Sequence, residues 1–204
     1  MPVPEHLLSF LFISVALTMA PGPDVIFLVS QGVAGGRRAG LSVALGLSSG
    51  LLVHTTLAAL GVSVIFRTSP LAFNILKYAG TAYLLWLAWG AFLERPAAGG
   101  KTVAGDAPAL YRRGVIMNLL NPKVALFFLA LLPQFVDPAG GPVRAQMAVL
   151  GLVFMAQVVV VFGTIGYLSG SLGARLIPGE KASRRISVAK GLVFLGLAGA
   201  LLAP

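Results

Sequence analysis

Apolar stretches with little or no charge recur along the chain, from about His6 to Gly36, Ala39 to Phe66, Thr68 to Leu93, Gly114 to Val136, Ala145 to Ala174 and Ile186 to Pro204. A helix needs roughly 20 residues to cross a hydrocarbon core of about 30 Å. The pattern therefore predicts an all-α integral membrane protein with six transmembrane helices. The last stretch is the shortest and carries Lys190, so a failure to cross there would change the side of the C-terminus. Between the third and fourth stretches, Glu94 to Arg113 contains Ala97-Ala98-Gly99-Gly100, Gly105 and Pro108 without apolar periodicity. That segment reads as a flexible linker, residues 94–113, between two three-helix halves, residues 1–93 and 114–204.

Three crossings is an odd number, so the second half enters the membrane from the side opposite to the first. This is the arithmetic of the inverted repeats found in secondary transporters, where helices interrupted at corresponding positions build the substrate site. Such a pair is present. The first stretch carries Ala20-Pro21-Gly22-Pro23-Asp24, and the fourth carries Asn118-Leu119-Leu120-Asn121-Pro122-Lys123. Proline removes a helical hydrogen bond and clashes with the preceding turn, so helix one is expected to break at Pro21, Gly22 and Pro23. In helix four Asn121 suits an N-cap and Pro122 the first helical position, which predicts a second break and a new half-helix.

Composition supports lipid as the solvent. Charged residues are 10% of this chain, against about 25% in soluble domains. There is no Cys, and the two His are far apart in sequence, so no thiolate chemistry, disulfide or metal-ligand spacing is available and no cofactor is expected. The net charge of +9 does not point to nucleic acid, because the basic residues alternate between loops. Eleven of the 15 (Arg37, Arg38, Arg95, Lys101, Arg112, Arg113, Arg175, Lys181, Arg184, Arg185 and Lys190) follow stretches one, three and five, whereas the other side holds Arg67 and Arg144. Retention of basic loops inside then puts both termini outside the cytoplasm. Met1 to His6 lacks the basic leading segment of a signal peptide, so the first helix is expected to stay in the mature protein.

Asp24 is the only acid inside any stretch, and Lys123, with Lys77, is an in-span base, apart from Lys190 near the start of the last stretch. Two half-helix N-termini plus Lys123 suit a carboxylate, and Asp24 suits an ammonium or a proton. Together they match a zwitterionic amino acid whose amine and a proton compete for Asp24. The break further predicts a cavity, since irregular backbone at membrane depth needs protein or water around it. The alternative is that the prolines are packing kinks and Asp24 with Lys123 a structural ion pair.

Other polar residues leave choices open. His54 faces either the cavity, as a proton relay, or a neighbouring backbone carbonyl. Tyr83 and Gln157 either line the cavity or satisfy one another. Gly46-Leu47-Ser48-Ser49-Gly50 matches a hydrolase elbow pattern but sits in an apolar helix, not at a strand-to-helix turn. An intramembrane enzyme is therefore not supported. Gly36 and Gly40, Gly46 and Gly50, and Gly166 and Gly170 have the spacing that lets helices approach closely, inside the bundle or across a homodimer. Trp86 and Trp89 suit an interfacial belt.

Pro21-Gly22-Pro23-Asp24, Gly36-Arg37-Arg38-Ala39-Gly40 running to Ala44-Leu45-Gly46, Lys77-Tyr78-Ala79-Gly80 with Ala82-Tyr83-Leu84, and Asn118-Leu119-Leu120-Asn121-Pro122-Lys123 with Leu132-Pro133-Gln134-Phe135 occur in that order. Over residues 6–136 they resemble the lysine-exporter (LysE) superfamily, RhtB-type branch. The resemblance implies a multi-pass carrier of the bacterial inner membrane that exports amino acids by proton antiport. The Pro-Gly-Pro-Asp break is more similar to the branch for neutral substrates such as homoserine, threonine or leucine. The site residues expected on this reading are Asp24, Lys123, Pro21, Gly22, Pro23, Asn118, Asn121 and Pro122, with Asp24 and His54 for the proton. A passive channel and a non-transporting scaffold are the alternatives, separated from a carrier by whether flux saturates or is absent.

Overall fold

A computed structural model describes residues 4–62, 70–94, 105–173 and 180–202. Arg67, Arg95, Lys101, Arg175 and the run 97–100 lie outside the described residues. Within them all regular structure is helical: α1 Pro4–Met19, α2 Pro23–Leu57, α3 Pro70–Leu93, α4 Ala107–Leu119, α5 Pro122–Leu126, α6 Val143–Leu172 and α7 Glu180–Leu202. A π-helical stretch, Ala58–Val62, continues α2, and another, Phe127–Leu131, continues α5 into the 3-10 turn Leu132–Phe135.

The 35 residues of α2 would extend about 52 Å as a straight helix, well beyond a hydrocarbon core. The chain instead reverses at Gly36, whose φ of 74° is open to glycine at little cost. Packing against α6 shows the reversal. Before Gly36, Leu28 reaches Gly166 and Gly32 reaches Ser169, a parallel register; after it, Gly40 meets Gly166 and Thr55 meets Gly151, an antiparallel one. Residues 23–35 and 37–57 are therefore two opposed arms. Arg37 fixes the turn by donating to Ser171 Oγ (2.6 Å) and lying over the Tyr167 ring (4.6 Å).

The spaced glycines serve contact inside the bundle. Gly40 and Gly166 touch backbone to backbone, Gly170 rests on Gly36 and Arg37, and Gly46 and Gly50 receive Tyr111 and Asn118 of α4. A Cβ at Gly40, Gly46, Gly50, Gly166 or Gly170 would collide with its neighbour, so small residues here set the interhelical distance. Gly46 to Gly50 lies within continuous helix, as expected for an accidental match to the hydrolase pattern.

Both expected breaks are present. α1 ends at Met19, Gly22 is extended, and Pro23 opens α2. α4 ends at Leu119, and Asn121 caps α5 by accepting the Lys123 N–H at 3.0 Å. The helical segments on either side of that break diverge by 49°. The start of α4 corrects the linker reading. Residues from Ala107 onward are helix, because Asp106 accepts the Ala109 N–H (3.0 Å) as N-cap and Pro108 falls in the first turn. Proline there needs no backbone donor and favours a helix start.

Among the described residues, three helical stretches are long and apolar enough to cross a membrane by length and composition, Pro23–Gly61 (with its reversal at Gly36), Val143–Leu172 and Lys181–Leu202, and the bent pair Ala107–Leu119 with Pro122–Phe135 adds a fourth. Large apolar side chains face outward, with Phe12 78% exposed and Leu71, Trp86, Trp89 and Val160 similarly bare. Patches of that kind suit lipid rather than water. Lys190, the weak point of the last stretch, pairs with Glu94 at 2.6 Å, while Arg184 donates to the Phe92 carbonyl at the end of α3.

Candidate functional site

The two breaks meet in the protein interior. Lys123, in the first turn of α5, extends its ammonium to the last carbonyls before the other break, Leu17 O at 3.2 Å and Ala20 O at 3.1 Å. Its Nζ also lies beside Gly22, where a Cβ would stand 3.4 Å away. In this contact main-chain carbonyls hold the Lys123 ammonium. Exposed carbonyls at a helix C-terminus carry partial negative charge and take up the cation. These carbonyls use two of its three N–H donors.

Asp24, in the first turn of α2, faces the end of α4. The side chains of Asn121 and Asn118 stand beside its carboxylate. The contacts are not closed into a full network: Asp24 Oδ1, Asn118 Oδ1 and Asn121 Nδ2 are buried without a hydrogen-bond partner. Residue exposure is 2% for Asp24, 1% for Asn118, 3% for Asn121 and 8% for Lys123, so bulk water does not satisfy them. Asp24 and Lys123 do not form the ion pair considered from the sequence, since no contact within 4.0 Å joins them. Each charged residue instead follows one break and docks at the helix end preceding the other.

His54 contacts a backbone carbonyl beside the Asp24 cluster. Its Nε2 lies 3.2 Å from the Asn118 carbonyl oxygen, and its ring stacks on Phe128 at 5.6 Å. Tyr83 and Gln157 do not satisfy one another: Tyr83 tilts against Trp86, and Gln157 donates to Thr18 Oγ1 at 2.8 Å. The part played by Thr18 and Gln157 beside the break was not apparent in the sequence, where neither belongs to a motif.

An aromatic cluster adjoins the polar group. Phe127 stacks on Phe154 (4.4 Å) and meets Phe128 edge-on (5.5 Å) and Phe10 at 6.1 Å. The hollow expected at the breaks is nearly closed. Beside Lys123 the cavity measures about 10 Å³, enclosed by Leu17, Gly80, Leu84, Phe127 and Leu197 among others. That is about the space of one water. Larger clefts open near the two ends of residues 37–57: one of about 770 Å³ with Gln31, Arg38, Asp106 and Leu110 in its wall, and one of about 440 Å³ with Thr55, Leu60, Pro142 and Arg144. No group of three or more potential metal ligands occurs among the described residues.

Residues 15–203 match the family described as LysE type translocator. The chain is 34% identical over 201 residues to a homoserine/homoserine lactone efflux protein of Salmonella typhimurium, covering 98% of this chain and 96% of that protein. It is 30% identical over 198 residues to a leucine efflux protein of Klebsiella pneumoniae, covering 95% and 93%. An uncharacterized membrane protein of Vibrio cholerae is 34% identical over 199 residues, covering 96% and 95%. No solved structure matches. A match along nearly the whole chain, on a bundle with two broken helices and outward apolar faces, establishes that the chain belongs to the LysE type translocator family.

Proposed function

We propose that this protein is a carrier of the bacterial inner membrane that exports a neutral amino acid in exchange for protons. One observation carries the reading: Asp24 and Lys123 follow the two helix breaks, are buried in the same polar cluster and are not joined in a direct ion pair. A zwitterion supplies what the cluster lacks. Its carboxylate takes the remaining Lys123 donor and Asn121 Nδ2, and its ammonium donates to Asp24 Oδ1 and Asn118 Oδ1. The relatives' names, homoserine and leucine efflux, support a neutral substrate.

On this reading the chain crosses the membrane six times, as two inverted halves with the crossings one and four broken. The two arms of α2 supply separate crossings, and both termini lie outside. The cleft near Arg38 and Asp106 faces the cytoplasm, and the cleft near Arg144 faces out. Between them the site is closed on both sides, as a carrier requires and an open channel does not. Asp24 takes either the substrate ammonium or a proton, so occupancy by one excludes the other, and that exclusion couples the two fluxes. His54, 7% exposed and near Asp24, is the neighbouring group through which a proton reaches it.

A panel of amino acids loaded into proteoliposomes tests the class. Saturable, pH-gradient-driven efflux of neutral amino acids supports the carrier, whereas non-saturating flux indicates a channel and no flux a scaffold. The absence of native Cys allows a direct test of orientation. Ala139→Cys should react with an impermeant maleimide added outside intact cells, and Ala182→Cys only after permeabilisation.

A further inference from the structure

We infer that Gln157 is a specificity-determining residue, whose side-chain oxygen accepts a hydrogen bond from a hydroxyl on the substrate's side chain. This inference rests on the zwitterion site proposed above and adds a third polar point to it.

The segment after the second break runs antiparallel to α6: Phe127 stacks on Phe154, and further along Asp137 N–H donates to Gln146 Oε1 at 3.1 Å. Stepping back from Phe127 by one helical turn reaches Lys123, and stepping forward from Phe154 by three residues reaches Gln157. Lys123 and Gln157 thus lie on the same side of the stacked rings. Helix α1 confirms the level, because Lys123 holds Leu17 O and Gln157 holds the next residue, Thr18. Along the broken helix, Thr18 lies before the gap, Asp24 after it, and Lys123 spans it.

Chemistry follows from what Gln157 leaves unmade. Its amide donates to Thr18 Oγ1 at 2.8 Å, and Thr18 in turn donates to Ser14 O at 2.8 Å. With the Thr18 hydroxyl proton given to Ser14 O, Thr18 Oγ1 is left as an acceptor and the amide nitrogen is the end that faces it. The Oε1 atom is buried and has no donor. A glutamine serving only to join α1 and α6 would not leave an acceptor stranded at membrane depth, where an unmade hydrogen bond is costly. The ammonium is drawn to the anionic Asp24 and the carboxylate to Lys123, so the donor left for Gln157 is one on the side chain. A site built around such an acceptor discriminates against an isostere that lacks the hydroxyl.

The test uses homoserine, threonine and 2-aminobutyrate, which share a four-carbon skeleton and differ in a hydroxyl. Purified full-length protein in proteoliposomes is expected to transport at least one hydroxylated amino acid with kcat/KM about tenfold above 2-aminobutyrate. Gln157→Met, which keeps the length without the acceptor, should bring that ratio near one while 2-aminobutyrate flux persists. Gln157→Asn, which withdraws the acceptor, should do the same, and Gln157→Glu, which retains one, should keep the preference. Equal transport of all three by the wild type, or an unchanged ratio in Gln157→Met or Gln157→Asn, overturns the role of Gln157 and leaves the zwitterion site standing. Absence of any amino-acid flux in the wild type overturns both.

Discussion

Lys123 and Ala20 lie more than a hundred positions apart, yet the ammonium of the first donates to the carbonyl of the second at 3.1 Å. A charge placed after one helix break thereby caps the helix that ends at the other. The interaction uses the free carbonyls of a helix C-terminus, which in lipid have no water to turn to. Asp24 stands on the far side of that same gap, where a carboxylate in the first turn of α2 complements the N-terminal end of its own helix.

Lys123→Met should both destabilise the protein and abolish transport. Removing the ammonium leaves Leu17 O and Ala20 O without donors, at a cost of about 1–3 kcal/mol. Thermal unfolding in detergent should show a lower midpoint, and saturating substrate should not restore flux. A variant as stable as the wild type would mean that Lys123 does not hold the end of α1.

Gly36→Ala should lower stability by about 1–3 kcal/mol, since an alanine is forced into a left-handed φ. No neighbour lies within 4 Å of the added methyl, so the cost isolates backbone strain. Gly163→Ala is the control, because that glycine is helical and equally open. It should be neutral or slightly stabilising in the same unfolding assay.

Gly40→Leu should disrupt the bundle more severely than either of these. The side chain would enter the backbone of Gly166, against which nothing flexible can give way. Loss of the monodisperse peak in size-exclusion chromatography is expected, with Gly196→Leu, which meets open space, retained as the comparison.

Glu94→Gln should have a small effect, under about 1 kcal/mol, because the Glu94–Lys190 pair is partly open to solvent. The same charges in a double-mutant cycle should couple weakly, and less so at high salt.

The breaks were legible in the sequence because proline and glycine act on their own backbone, without help from distant residues. Asn121 and Pro122 announced a helix start for the same local reason. Asp24, Asn118, Asn121 and Lys123 do come together, although their separate motifs gave only residue types. What Lys123 touches was not legible, since its partners are main-chain carbonyls that any residue at Leu17 and Ala20 would supply. The start of α4 was missed because Gly105 and Pro108 suggest a loop unless Asp106 is recognised as the cap. Gln157 stood out only as polar, and its register with Lys123 depends on the Phe127–Phe154 stack.

The most direct measurement is pH-gradient-driven amino-acid efflux from proteoliposomes containing the Asp24→Asn protein, a near-isosteric change that removes one charge. With the fold verified by circular dichroism, driven efflux should disappear, because neither the ammonium nor a transported proton has its carboxylate. Efflux at the wild-type rate and with the wild-type dependence on the gradient would contradict a shared site at the two helix breaks.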